Sequence, residues 1–136
     1  MWVQIRRFAT AAAVFGAIVV APASSFALER VPFDLETVRQ AQAEGQKFVI
    51  GAWAGWCATC QAQIATLTEL ADDPRFADLT IYQIDYDLQK PMMRLFGIAS
   101  RSQVLVFQGE TELGRLIAVT DPVAIEALLV TLVEAP

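Results

Sequence analysis

The sequence predicts an α/β domain with the element order α-β-α-β-α-β-β-α. Short apolar, β-branched runs alternate with helix-like segments, and capping residues, glycines and prolines mark the boundaries between them. The last two runs are separated by a short turn at Gly109, which predicts a hairpin. With 136 residues, 55% of them hydrophobic and 18% charged, the chain has the size and composition of one globular domain.

Each element follows from local sequence. Asp34 and Asp121 are favoured N-cap residues before the first and last helices, and Gly45 is a natural helix stop. Pro91 is tolerated only in the first turn of a third, short helix. The predicted helices cover 35–44, 57–70, 87–96 and 122–133. The predicted strands cover 46–53, 79–84, 103–107 and 113–119. The segment 28–33 contains a proline and is predicted to be an extended lead-in.

Residues 1–27 have the pattern of a secretory signal peptide. Arg6 and Arg7 precede an apolar run over 8–20, and small residues follow as far as Ala27. The apolar run is shorter than the ~20 residues that a membrane-spanning helix needs. This length argues against the alternative, an uncleaved membrane anchor.

We expect cleavage after Ala27, with a cut after Ala23 as the second choice. The predicted mature domain is therefore 28–136, located in the periplasm or secreted, with no stable membrane span after cleavage. Its eight basic and fifteen acidic residues give a net charge of −7. An oxidising compartment also means that its two cysteines are either locked as a disulfide or actively cycled.

The composition excludes several classes of function. The chain has no histidine, so it cannot form a Ser-His-Asp triad, a Cys-His dyad or a histidine-ligated zinc site. Two cysteines cannot supply four thiolate ligands, and we expect neither a metal centre nor another cofactor. A net charge of −5 for the whole chain does not suit nucleic-acid binding, which needs clustered lysine and arginine.

The two cysteines form a C-x-x-C pair between a predicted buried strand and a predicted helix. Unpaired N–H groups and the helix dipole stabilise a thiolate at the first position, Cys57, while Cys60 lies one turn inside. Cys57 is therefore the expected attacking thiolate and Cys60 the resolving thiol. A redox-active Cys57–Cys60 disulfide is the expected oxidised form.

Two alternatives assign the dithiol a different role. A non-catalytic interaction module would keep a structural disulfide, although so short a loop constrains the unfolded chain little. A copper module would bind Cu(I), which prefers soft thiolate ligands. Met92 and Met93 could add soft ligands, but methionine in a helix more often fills a core. The position between strand and helix favours redox cycling over both.

The residues WAGWCATC at 53–60 resemble the W-A-x-W-C-x-x-C active-site segment of the thioredoxin family. The element order over 48–133 is similar to the thioredoxin fold. The resemblance implies a four-stranded mixed central sheet flanked by helices. It also implies an enzyme, a thiol–disulfide oxidoreductase that acts on protein disulfides, with Cys57 as nucleophile, Cys60 as resolving thiol and Trp56 beside them.

Three positions depart from the family pattern. The family's buried acid corresponds to Gly51, the lysine often paired with it to Gln83, and its cis-proline to Ser102. We expect a trans Arg101–Ser102 bond, because a cis bond before a non-proline residue costs ~3–4 kcal/mol. The Ser102 hydroxyl and a positive charge on Arg101 then become supporting groups for the Cys57 thiolate. We also expect the domain to tolerate Ser102→Pro.

The direction of electron flow is predicted from the residues between the cysteines. Ala58 and Thr59 include no histidine to stabilise the thiolate, and a less stabilised thiolate makes a weaker oxidant. We therefore expect a reductant of protein disulfides. A reductant outside the cytoplasm needs an electron source, which implies a membrane thiol-transfer protein as the donor.

Overall fold

Residues 28–136 are the part of the chain that the computed structural model describes, and the predicted signal peptide lies outside them. They form five strands, four α-helices and one short 3-10 helix. The strands are β1 (Glu29–Pro32), β2 (Lys47–Trp53), β3 (Thr80–Asp85), β4 (Gln103–Gln108) and β5 (Thr111–Ile117). The α-helices are α1 (Leu35–Ala43), α2 (Ala58–Leu70), α3 (Lys90–Leu95) and α4 (Pro122–Glu134), and the 3-10 helix is Pro74–Phe76.

The predicted helix boundaries rest on caps that are present in the structure. The Asp34 carboxylate accepts a hydrogen bond from the Thr37 N–H at 2.8 Å, and Asp121 caps α4 in the same way. Gly45 follows α1 with a φ of +67°, a conformation that glycine adopts without steric cost. The four helices therefore begin and end within a few residues of the predicted positions.

The sheet has the order β1-β3-β2-β4-β5 and is mixed. Strand β3 runs parallel to β1 and β2, whereas β4 runs antiparallel to β2 and β5. The α/β class and the mixed central sheet are confirmed, but the sheet has five strands instead of the predicted four. The lead-in segment supplies the fifth, because Glu29 to Pro32 pair with Thr80 to Gln83. A proline fits there because β1 is an edge strand.

Apolar side chains cover both faces of the sheet. Phe48 and Ile50 of β2 pack with α1 and α3 on one face, while Val49 packs with α2 and α4 on the other. A strand that is buried on both faces has a continuous apolar sequence, as β2 does. Both cysteines belong to the cluster formed with α2 and α4. Within 28–136, no helix is long and apolar enough to span a membrane.

Candidate active site

Cys57 is the N-cap residue of α2 and lies directly after the loop that follows β2. Its backbone is extended, with φ −98° and ψ 112°, and its Sγ accepts a hydrogen bond from the Cys60 N–H at 3.2 Å. This bond satisfies one of the N–H groups that a helix start leaves unpaired. Cys57 is 4% exposed and Cys60 is fully buried, and both thiols are free. The structure is thus the dithiol form of the predicted Cys57–Cys60 pair.

Ser102 contacts both thiols. Its Oγ lies 3.2 Å from the Cys57 Sγ and 3.1 Å from the Cys60 Sγ, and the residue is 3% exposed. The prediction that the serine hydroxyl reaches the Cys57 sulfur therefore agrees with the geometry. Its equally close contact with the Cys60 sulfur was not predicted.

The backbone of Ser102 is held in a left-handed conformation. Its φ is +61°, which costs a non-glycine residue about 1–2 kcal/mol. The Ser102 N–H donates to the Ala52 carbonyl of β2 at 2.8 Å, and the Ser102 carbonyl accepts from the Ala118 N–H at 2.7 Å. The Arg101–Ser102 bond is trans, as predicted.

This backbone geometry does not fit the expectation that Ser102→Pro is tolerated. A proline ring fixes φ near −65° and removes the N–H, so it can match neither the φ of +61° nor the hydrogen bond to Ala52. A proline at 102 requires the loop to take another path.

Gln63 is a site residue that was not predicted from the sequence. It lies on α2 one turn after Cys60 and is fully buried. Its side-chain oxygen accepts from the Trp53 indole N–H at 3.0 Å. Its side-chain nitrogen donates to the Ser102 carbonyl at 3.1 Å and to the Val119 carbonyl at 2.9 Å. Its three-residue spacing from Cys60 was the available signal, because that spacing places both residues on one helix face.

At Gly51, the position that corresponds to the family's buried acid, the space for a side chain is filled by the indole of Trp53. A Cβ atom at Gly51 would overlap the ring atoms Cη2 and Cζ2 of Trp53, which is 1% exposed. Gly51 is paired with Gln83 across the β2–β3 ladder, so both positions of the family's acid–base couple are neutral here. The buried polar side chains within 28–136 are Gln63, Thr66, Ser102 and Gln103, which include no carboxylate.

The two thiols have opposite pKa shifts. Burial raises the pKa of Cys57, but hydrogen bonds from the side chain of Cys60, the Ser102 hydroxyl, the Cys60 N–H and Arg101 outweigh it and lower that pKa to about 7. Burial, and then the hydrogen bond to Cys57, raise the pKa of Cys60. Cys57 is therefore the thiol that ionises first, which agrees with its predicted role as nucleophile.

Trp56 forms an exposed aromatic surface beside Cys57. It is 62% exposed, and its indole N–H donates to the Asp87 carboxylate at 2.8 Å. Tyr86 meets its ring edge-on at 6.2 Å, and the Arg101 guanidinium lies 4.7 Å from its ring centroid. Of the predicted supporting residues, Ser102 and Arg101 thus contact the Cys57 sulfur, and Trp56 contacts the solvent-exposed Arg101. Asp87, which fixes the Trp56 ring, was not predicted.

The two thiols do not belong to a larger cluster of metal-ligating residues in the part of the chain that the structure describes. Within 28–136, no group of three or more histidine, cysteine, aspartate or glutamate residues is placed to hold a metal ion. Met93 is buried in the core formed with α1 and α3, and Met92 packs against that core. Both methionines therefore contribute to packing, as methionine in a helix commonly does.

Comparison with known proteins identifies the family. The family model described as Thioredoxin matches residues 31–130 of this chain. The chain belongs to the thioredoxin family. This family consists of protein-disulfide oxidoreductases, and the Cys57–Cys60 pair is its C-x-x-C motif. The five-stranded mixed sheet flanked by helices is the thioredoxin fold.

Solved thioredoxin structures resemble this chain over most of its length. Trxlp from Edwardsiella tarda is 29% identical and has a TM-score of 0.69; the match covers 74% of this chain and 98% of that one. Thioredoxin from Malassezia sympodialis is 18% identical with the same TM-score, and the match covers 79% of this chain and 92% of that one.

A longer protein matches part of this chain by sequence. A bifunctional thioredoxin reductase/thioredoxin from Mycobacterium leprae is 30% identical over 69 residues, which are 51% of this chain but 15% of that protein.

The pKa values of the two thiols predict how fast each is alkylated. With a pKa of about 7, half of Cys57 is thiolate at pH 7, compared with about 3% of a free thiol whose pKa is ~8.5. We expect the rate of Cys57 carboxamidomethylation by iodoacetamide to be half-maximal near pH 7. Cys60, measured in Cys57→Ser, should react more slowly than Cys57 at neutral pH, because burial raises its pKa. Faster alkylation of Cys60 than of Cys57 at neutral pH would contradict these roles.

Proposed function

We propose that this protein is a thiol–disulfide oxidoreductase that reduces protein disulfides outside the cytoplasm. The observation that carries the proposal is the pair of buried thiols at the start of α2, which share one serine hydroxyl and have opposite pKa shifts. One thiol is thereby ready to attack, and the other is kept protonated until it is needed. Membership of the thioredoxin family supports the same reaction.

The reaction consists of two exchanges. The Cys57 thiolate attacks one sulfur of the substrate disulfide, forms a mixed disulfide and releases the other substrate sulfur as a thiolate. Cys60 then gives up its proton and attacks the Cys57 sulfur, which releases the second substrate sulfur. The substrate gains two electrons, one proton from Cys60 and one proton from solvent, and the protein is left with a Cys57–Cys60 disulfide.

The exposed Trp56 supports a protein as the substrate. Cys57 is almost covered, so a substrate disulfide must come close to the surface around it. The Trp56 ring precedes Cys57 in the chain, is held by Asp87, Tyr86 and Arg101, and offers a fixed, exposed aromatic surface. A rigid aromatic side chain gives a large contact area at a small cost in conformational entropy.

The pKa of Cys57 supports the direction of a reductant. A value of about 7 is close to the ~7 of thioredoxin and far from the ~3.5 of the strong oxidant DsbA. A strong oxidant owes its high potential to a strongly stabilised reduced form, and this thiolate is only moderately stabilised. A reductant must be recharged, and we propose a membrane thiol-transfer protein as its electron donor.

The proposed location rests on the sequence of residues 1–27. Arg6 and Arg7, the apolar run over 8–20 and the small residues before Leu28 form the three regions of a signal peptide. Cleavage after Ala27 would make Leu28 the new N-terminus, and β1 would begin at the next residue, Glu29.

The reduction potential of the Cys57–Cys60 pair tests the proposal. We expect a value near that of thioredoxin, about −270 mV, when the protein is equilibrated with glutathione or dithiothreitol buffers and the thiols are counted by alkylation. Cys57→Ser, which cannot form this disulfide, gives the baseline. A value above about −150 mV would instead identify an oxidant. A pair that forms no disulfide in any buffer would overturn the whole proposal.

A further inference from the structure

One hydroxyl group lies between the two reacting sulfurs. The Ser102 Oγ is 3.2 Å from the Cys57 Sγ and 3.1 Å from the Cys60 Sγ. A serine hydroxyl has one proton to donate and two lone pairs that accept. It can therefore accept a proton from one sulfur while it donates its own to a group beside the other.

The position of this hydroxyl is fixed by the fold. Ser102 is buried, and its backbone is bonded to β2 through Ala52, to the end of β5 through Ala118 and to α2 through Gln63. These bonds hold it at a φ of +61°. Hydrogen bonds to three separate elements therefore hold the hydroxyl close to both sulfurs. Its position is set by the fold.

Resolution of the mixed disulfide needs a proton acceptor. Cys60 must lose its proton to attack Cys57, yet the buried polar side chains within 28–136 include no carboxylate, and the chain has no histidine. The ionisable groups that face the two sulfurs are the other thiol and Arg101. In the mixed disulfide Cys57 is no longer a thiolate and cannot accept the proton. An arginine stays protonated and cannot accept it either. Besides a backbone hydrogen bond with Ala54, the contact left to the Cys60 sulfur is the Ser102 hydroxyl.

We propose that Ser102 is a catalytic residue that relays the proton of Cys60 to the departing substrate sulfur. This inference rests on the proposed function. As the Cys60 sulfur attacks Cys57, its proton passes to the Ser102 Oγ, and the serine proton passes to the substrate sulfur as the bond from that sulfur to Cys57 breaks. One S–S bond forms and one breaks, the substrate leaves as a thiol, and Ser102 is regenerated.

The reach of the hydroxyl suits this role. In the mixed disulfide the substrate sulfur is bonded to the Cys57 Sγ at about 2 Å. The Ser102 Oγ, 3.2 Å from the Cys57 Sγ, is therefore at most about 5 Å from the sulfur that must be protonated. The same hydroxyl donates to the Cys57 thiolate before the substrate arrives, which accounts for its share in lowering the pKa of Cys57.

Two variants distinguish the contribution of the Ser102 hydroxyl from that of the Ser102 backbone conformation. Ser102→Gly removes the hydroxyl and adopts a φ of +61° without strain, whereas Ser102→Ala removes the hydroxyl and keeps the strain. Each is mixed in its reduced form with excess hydroxyethyl disulfide, and acid quenching at timed intervals separates the mixed disulfide from the oxidised protein. The rate of forming the oxidised protein that does not depend on the concentration of hydroxyethyl disulfide is the rate of the resolution step.

We expect resolution to be about 100-fold slower in both variants, the lower end of what a positioned acid–base group contributes. Between pH 6 and 8 the rate should rise close to tenfold per pH unit in the variants, because only ionised Cys60 then reacts, and should change much less in the wild type. With an aromatic disulfide, whose leaving thiolate needs no proton, the loss should be about tenfold smaller.

The relay is overturned if both variants resolve the mixed disulfide at the wild-type rate and with the wild-type pH profile. It is also overturned if only one of the two variants is slow, because both lack the hydroxyl and its loss would then not be the cause. A wild-type resolution rate that is unchanged in D₂O counts equally against it and needs no variant. Failure of the proposed function looks different, because the wild type would then not proceed through a mixed disulfide to the oxidised protein.

Discussion

Cys57→Ser is expected to lower the rate of disulfide exchange at least about 1,000-fold, to the level of uncatalysed thiols, because a serine hydroxyl is a weak nucleophile at neutral pH. Cys60→Ser is expected to retain the first exchange and to accumulate mixed disulfides, since no thiol remains to resolve them. The two variants differ only in which sulfur is lost. Opposite outcomes therefore separate the attacking thiol from the resolving thiol.

Non-reducing electrophoresis and mass spectrometry of Cys60→Ser cells measure this directly. Adducts should be present in the extracytoplasmic fraction and absent from Cys57→Ser, and the mass of the trapped chain should correspond to a start at Leu28. Ala58→Ser is the matched control, because it places a hydroxyl at an exposed position of the motif and keeps both thiols. Adducts formed through Cys60 in Cys57→Ser would reverse the assignment.

Gly51→Ala is expected to destabilise the domain by about 3 kcal/mol, the upper end of the usual cost of overpacking a core. The added methyl group overlaps the buried indole of Trp53, which cannot move without breaking its hydrogen bond to Gln63. Gln63 in turn holds the Ser102 carbonyl, so the disturbance extends to the thiols. Gly51→Asp should be worse, because it adds a buried charge to the same overlap.

Urea unfolding followed by circular dichroism measures the free energy of unfolding of these variants. Gly55→Ala is the control, since a methyl group there meets no atom within 4 Å, and its effect should be within about 0.5 kcal/mol. Equal stability of Gly51→Ala and Gly55→Ala would show that the indole is not fixed over Gly51.

The parts of the structure that were predicted correctly are determined by residues that are close together in the sequence. The start of α2 at the cysteine pair, the caps at Asp34 and Asp121 and the apolar run of β2 are encoded within a few positions of each other. The place of Cys57 at a helix start is encoded in the same way, and its role as the nucleophile stays a prediction that rests on this place. Such features can be predicted before any tertiary contact is known.

The parts that were missed depend on contacts between distant residues. β1 is a strand only because β3, far along the chain, supplies its hydrogen bonds. Glutamine is usually a surface residue, and Gln63 is buried because it bonds to three partners on three different segments. The positive φ of Ser102, and with it the contact to both sulfurs, results from bonds to Ala52 and Ala118. No local pattern encodes these contacts.

The pairing of β1 with β3 also constrains the order in which the sheet assembles. The partners Glu29 and Thr80 are separated by roughly fifty residues, whereas Gln108 and Thr111 of the β4–β5 hairpin are almost adjacent. Closing a long loop costs more entropy than closing a short one, and pairings between distant segments form slowly. The hairpin that leads from Ser102 is therefore expected to close early, and the first strand of the chain to join its sheet late.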